Sequence, residues 1–82
     1  MPNNKPKLLH RWVQQGIKVG SMNVHGLTYL KLLAILEQDE FDILCLQETW
    51  VAEHTTPPLL KGYTLLEQRR PTGARGGIAT YI

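Results

Sequence analysis

Asp42-Ile43-Leu44-Cys45-Leu46-Gln47 is the stretch on which the fold turns. Between its polar ends it is apolar on both faces of a strand. A half-exposed strand alternates apolar and polar positions. A strand covered on both sides does not, and parallel strands are usually of that kind. Toward the N-terminus, Thr28 reads as the N-cap of a helix running to about Gln38. Leu30, Leu33, Ala34 and Leu36 give that helix an apolar face, with Lys31, Gln38 and Asp39 elsewhere. Before it, Asn23-Val24-His25-Gly26 reads as a turn, because Asn and Gly tolerate unusual backbone angles. Ile17–Met22 alternates β-friendly residues and reads as a short strand. Strand, helix and strand over about 30 residues predict a βαβ unit with a right-handed crossover. Residues 1–16 read as an N-terminal tail carrying at most a short helix, because Leu8, Leu9, Trp12 and Val13 have helix-like spacing that Gly16 would end.

In the other direction, Glu48-Thr49-Trp50 leaves the strand into a loop that Pro57-Pro58 keeps extended. Gly62-Tyr63 opens a third strand reaching Gln68. Residues 71–76 form a turn, and Gly77–Ile82 is a fourth strand in which the sequence stops. The predicted order is therefore β-α-β-β-β in an α/β (α+β) domain over residues 17–82. One helix can cover one face of such a sheet. The opposite face, including part of the doubly apolar strand, calls for a second layer that this chain does not supply. Uncovered, that face would bind a partner or aggregate.

Composition limits the possibilities. With 82 residues, 43% hydrophobic and 20% charged, the chain has room for one small globular domain and is not disordered. Its lone cysteine, Cys45, allows no internal disulfide, and no Cys/His cluster suggests zinc. A thiol inside an apolar run suits a reducing compartment. Leu32–Leu36 and Ile43–Leu46 fall far short of the roughly 20 residues of a membrane span. Met1–Lys7 lacks the apolar core of a signal peptide. The expected setting is intracellular, nuclear or cytoplasmic, with no membrane partner. The net charge of +2 is uninformative. Arg69, Arg70 and Arg75 do cluster near the C-terminus, either to meet phosphates or as a solvated turn.

Asn23 and Glu48 are the candidates to carry chemistry. Each sits at the C-terminal end of one of two strands joined by a crossover. If those strands are neighbours, both side chains reach one rim, the place where ligands bind open α/β sheets. A carboxylate and a side-chain amide supply oxygens for a hard cation such as Mg²⁺, which would neutralise phosphate charge. The bland alternative is an ordinary loop acid beside a turn-forming Asn. His25, two residues past Asn23, is a lone histidine of the sort more often structural than catalytic, as are His10 and His54. Trp50 suits packing under its loop better than stacking on a base.

Three segments in order resemble a known family. Residues Ile17 to Leu27 look like the opening strand and Asn of endonuclease/exonuclease/phosphatase domains. Phe41-Asp42-Ile43-Leu44-Cys45-Leu46-Gln47-Glu48-Thr49-Trp50 resembles their DIL-x-LQETW segment. Gly62-Tyr63 followed by Arg75-Gly76-Gly77-Ile78-Ala79 resembles the GY…RGG-(I/V)-A pattern of retrotransposon-type (LINE-like) endonucleases. The resemblance implies the N-terminal half of a four-layer αββα sandwich, in which a second packed sheet provides the missing layer. It implies that Glu48 is a direct Mg²⁺ ligand (Mn²⁺ being possible), that Asn23 serves the metal and scissile phosphate, and that Gln47 supports the site. It also implies DNA as partner of the intact domain, with the three arginines on its backbone. The family's later His–Asp pair, further acidic ligands and Asp-x-Asn motif have no counterpart here, so the chain alone is expected to be inactive. The alternatives are a phosphatase branch of the same family and a non-catalytic remnant that binds a partner through the open sheet face.

Overall fold

A computed structural model of the chain describes residues 9–51, 56–69 and 76–82. Near the N-terminus, Gln15 (φ 54°) and Gly16 (φ 81°) are successive left-handed residues. That pair makes a mirror-image turn, whose twist matches a two-residue hairpin. It joins strand β1 (His10–Gln14) to strand β2 (Ile17–Asn23), antiparallel, with Gln14 opposite Ile17 and His10 opposite Ser21. Over His10–Gln14 the expected tail or short helix is thus corrected to an edge strand, and residues 1–8 of that expectation lie outside the described residues. Residues 10–14 alternate His, Trp and Gln with Arg and Val, and the backbone pairing available from β2 outweighs a weak helical spacing.

Helix α1 (Tyr29–Gln38) starts where Thr28 Oγ1 accepts the Lys31 amide at 3.1 Å. Its buried residues are Leu32 and Ile35, whereas Leu30 is 77% exposed and Leu33 also faces water. The apolar face expected from Leu30, Leu33 and Ala34 is therefore rotated. With apolar residues at 30, 32, 33, 35 and 36, the sequence offers two stripes. The neighbouring core selects one.

Strand β3 (Ile43–Gln47) lies parallel to β2, with Asn23 opposite Gln47. Strands β4 (Leu65–Gln68) and β5 (Ile78–Tyr81) complete a mixed sheet of order β1-β2-β3-β5-β4, all remaining pairs being antiparallel. The βαβ crossover and the two later strands agree with the sequence reading. Among the described residues the result is an α+β fold with one five-stranded sheet and one helix, consistent with a partial sandwich.

The core lies between helix and sheet. Leu32, Leu44, Leu46, Ala79 and Tyr81 are fully buried, with Val24, Ile35 and Phe41 nearly so. Gly20 admits the Phe41 ring, which would come within 2.6 Å of any Cβ placed there. On the opposite face β3 presents Ile43, Cys45 and Gln47, all only partly covered. Apolar Trp12, Ile17, Leu66 and Ile78 are between 43% and 56% exposed. Among the described residues no helix is long and apolar enough to cross a membrane.

The end of the sheet where β2 and β3 begin is held by charge. Asp39, just past the helix, takes Lys18 Nζ at 2.5 Å and Arg11 Nη1 at 2.6 Å. Lys18 first and Arg11 second hold its carboxyl down at about 2. Asp42 accepts the Lys18 amide at 2.8 Å. Nearby, Tyr81 donates its hydroxyl to the Pro58 carbonyl at 2.5 Å. Burial, then the charge of Glu67, pushes that phenol up to about 12.

Candidate active-site rim

The opposite end of the sheet is built differently. Parallel pairing puts Asn23 level with Gln47, so Glu48 begins one residue beyond the last ladder position. The ladder then continues into the loops. Val24 donates to the Gln47 carbonyl at 3.0 Å, Gly26 to Glu48 at 2.8 Å and Leu27 to Thr49 at 2.8 Å. From the other side, Thr49 and Trp50 donate to the carbonyls of Gly77 and Gly76 at 3.2 and 2.9 Å. The 48–50 segment is therefore gripped between the 23–27 turn and the entry to β5.

That grip holds an unusual backbone. His25 (φ 44°), Glu48 (φ 52°) and Trp50 (φ 54°) are all left-handed although none is glycine. Each costs roughly 1 kcal/mol or more, and such residues cluster where function fixes a side chain. Here the strain turns Glu48 out of the strand path and onto the rim, where its side chain is 37% exposed.

Asn23 Nδ2 donates to Glu48 Oε2, while Asn23 Oδ1 accepts the His25 amide at 3.1 Å. His25 Nε2 lies 3.2 Å from the same Glu48 oxygen, and the imidazole stacks on Trp50 with ring centres 5.9 Å apart and 13° between planes. The two residues singled out in the sequence do meet, and the register that brings them together is that of adjacent parallel strands. Gln47 sits below them on the open face. Its amide nitrogen donates to Ser21 Oγ at 2.9 Å and to the Cys45 carbonyl at 3.2 Å. It fixes the strand beneath the rim.

The model of the Endonuclease/Exonuclease/phosphatase family matches residues 20–82. The chain belongs to that family. Members of the Endonuclease/Exonuclease/phosphatase family are phosphodiesterases and phosphatases, and they typically depend on a divalent metal. No curated protein and no solved structure matched the chain.

The rim's donors can be tested against such a metal. Among the described residues no group of three or more His, Cys, Asp or Glu side chains surrounds a common point. Glu48 supplies one oriented carboxylate. Mg²⁺ is commonly held by one or two carboxylates, with water and substrate phosphate completing its shell. Glu48 fits that requirement as one ligand of several. Asn23 is turned so that its amide hydrogens face the carboxylate, which suits orienting Glu48.

Arg69 lies at the same end of the sheet, past the end of β4. It makes a two-pronged contact with Glu67, at 3.1 Å from Nε and 2.9 Å from Nη2. Strand spacing puts it about 10 Å across the sheet from the end of β3. Arg70 and Arg75 lie outside the described residues.

Three contributors were not singled out from sequence. Lys31 Nζ donates to the carbonyls of Val24 and His25 at 3.1 Å each and of Gly26 at 2.8 Å, pinning the turn. A signal was present. A lysine in the first turn of a helix opposes the dipole, so it needs another reason to be there. Thr49 is 3% exposed, and any Cβ on Gly77 (φ 93°) would meet its hydroxyl at 2.6 Å. His25 looked structural, yet it reaches the Glu48 carboxylate.

Proposed function

We propose that this chain provides the Glu48 rim of a Mg²⁺-dependent phosphodiesterase domain that nicks DNA, of the retrotransposon type. The observation that carries the reading is the meeting of Asn23 and Glu48 across adjacent parallel strands. Glu48 would hold the metal. Asn23 fixes the carboxylate's direction and Gln47 stiffens the strand below it. When bound, Mg²⁺ neutralises phosphate charge and stabilises the leaving oxygen. The chain's own part is to set one ligand in place before substrate arrives, which removes reorganisation from the reaction. The arginines following β4 would meet the nucleic-acid backbone, fixing register without reading sequence. Proton transfer to and from the reacting oxygens belongs to family segments that this sequence does not contain.

Supercoiled plasmid with Mg²⁺ provides the test, using the chain alone and the chain joined to the later segments of a family domain. The joined form is expected to nick, and the chain alone is not. Glu48→Gln in the joined form should lower the rate about a hundredfold or more. Undiminished nicking by that variant would remove Glu48 from the site. Turnover of a phosphomonoester with no nicking would assign the phosphatase branch instead.

The exposed Trp12, Ile17, Leu66 and Ile78 favour a second reading, in which the uncovered sheet face binds a partner. A monomeric chain that binds no dye for apolar surface would dispose of it.

A further inference from the structure

We infer that His25 is a second metal ligand beside Glu48, and that it shifts the rim's preference from Mg²⁺ toward imidazole-accepting ions such as Mn²⁺ and Co²⁺. The inference rests on the metal-binding reading of Glu48 given above.

The geometry is that of two neighbouring ligands on one ion. Donors about 2.1 Å from an octahedral centre lie about 3.0 Å apart when adjacent. His25 Nε2 and Glu48 Oε2 are 3.2 Å apart. An ion held by both atoms would replace the imidazole–carboxylate contact by two bonds to itself. Carboxylate with water suits Mg²⁺, whereas an added imidazole favours transition ions.

The imidazole is also held ready. The His25 amide is bonded to Asn23 Oδ1 at 3.1 Å and its carbonyl to Lys31 Nζ at 3.1 Å. Its ring plane is set by stacking on Trp50. Both prospective ligands occupy left-handed backbone, His25 at φ 44° and Glu48 at φ 52°. A histidine kept merely as a surface residue of the turn has no need of this. Gly would fill the left-handed position with less strain.

The experiment uses the full 82-residue chain near pH 8, where an ordinary imidazole is neutral. Mn²⁺ binding is read by electron paramagnetic resonance, Mg²⁺ binding by competition against it, and the ligand type by nitrogen modulation of the Mn²⁺ spin echo. The wild type should show the imidazole nitrogen signal and bind Mn²⁺ at least about tenfold more tightly than Mg²⁺. His25→Asn, which tolerates the left-handed backbone, should lose the nitrogen signal. It should weaken Mn²⁺ by about tenfold and leave Mg²⁺ within about twofold. A dispersed amide spectrum of the variant shows that it is folded. Absence of the nitrogen signal from the wild type, or equal weakening of both ions in His25→Asn, overturns the inference. If Glu48→Gln then abolishes binding of both ions, the Glu48 reading survives that failure. If the wild type binds no Mn²⁺ the inference falls and the Glu48 reading rests on the nicking assay of the joined form; if Glu48→Gln changes neither ion, both readings fall.

Discussion

The two ends of the sheet each hold a carboxylate, and the two are treated in opposite ways. Asp39 is clamped by Lys18 and Arg11 at 2.5 and 2.6 Å, and its carboxyl is held near 2. It ties β1 and β2 to the end of the helix. Glu48 is contacted by an amide and an imidazole, stands on strained backbone and is 37% exposed. A carboxylate saturated by fixed cations is a joint. One directed by an amide and an imidazole on a tense loop is held at the open rim, where a ligand can reach it. Even the lysines divide this way. Lys18 meets a carboxylate, whereas Lys31 spends its ammonium on three backbone carbonyls and shapes the loop that carries His25.

The largest effect should come from the rim's tightest contact. Gly77→Ala puts a methyl against the buried Thr49 hydroxyl at 2.6 Å, on backbone at φ 93°. Strain and overpacking together should cost about 2–3 kcal/mol in urea unfolding. Adding Thr49→Ala should recover the overpacking part and leave the backbone part. A neutral single substitution would mean that the 48–50 segment is not gripped.

Next comes a test of whether the strain serves function. Glu48→Gly relieves the left-handed backbone, which should offset by about 1 kcal/mol the contacts it loses to Asn23 and His25, while abolishing metal binding. Asp39→Gly should only destabilise. If both substitutions destabilise alike, the contrast between joint and ligand is lost. Smaller again is Lys31→Met, which keeps the stem and removes three bonds. Its loss should stay under about 1 kcal/mol, because the side chain is exposed. The His25 and Trp50 signals should nevertheless broaden as the turn loosens, with the Asp39 end unaffected.

These contrasts also show how far the sequence could be read. The crossover and the Asn23–Glu48 meeting were legible because period and spacing encode them. Asp42–Gln47 is too apolar for an edge, and a helix of that length returns the chain beside β2. The His10–Gln14 strand was not legible. Its signal is two consecutive left-handed residues, and Gln15 is not a residue that announces one. The helix face was misjudged because two apolar stripes compete on one helix, and only the position of Leu44, Leu46 and Tyr81 decides between them. Lys31 and Thr49 act on loops whose path depends on long-range backbone bonds, which no local pattern contains. The RGG segment stands out as a pattern, but its physical reason is a long-range contact. Gly76 and Gly77 are both left-handed, and Thr49 fills the space a side chain would need.

The smallest effect is the one that depends on pH. Asp39 is held below its ordinary 3.8, at about 2, by Lys18 first and then Arg11. A depressed carboxyl adds stability above its unfolded value and loses that contribution as pH falls through the folded one. The clamp should therefore be intact at neutral pH, weaken below about pH 4 and be lost as pH falls through about 2. Because Arg11 belongs to the all-exposed β1, the hairpin should detach before the core. The indole signal of Trp12 and the amides of residues 10–14 report it, and added salt should shrink the effect. Asp39→Asn should give a hairpin already loose at pH 7, with no acid step in this window. Glu48→Gln should leave the step in place. If the step persists in Asp39→Asn, some other acid holds β1, and the far end of the sheet is not the joint described here.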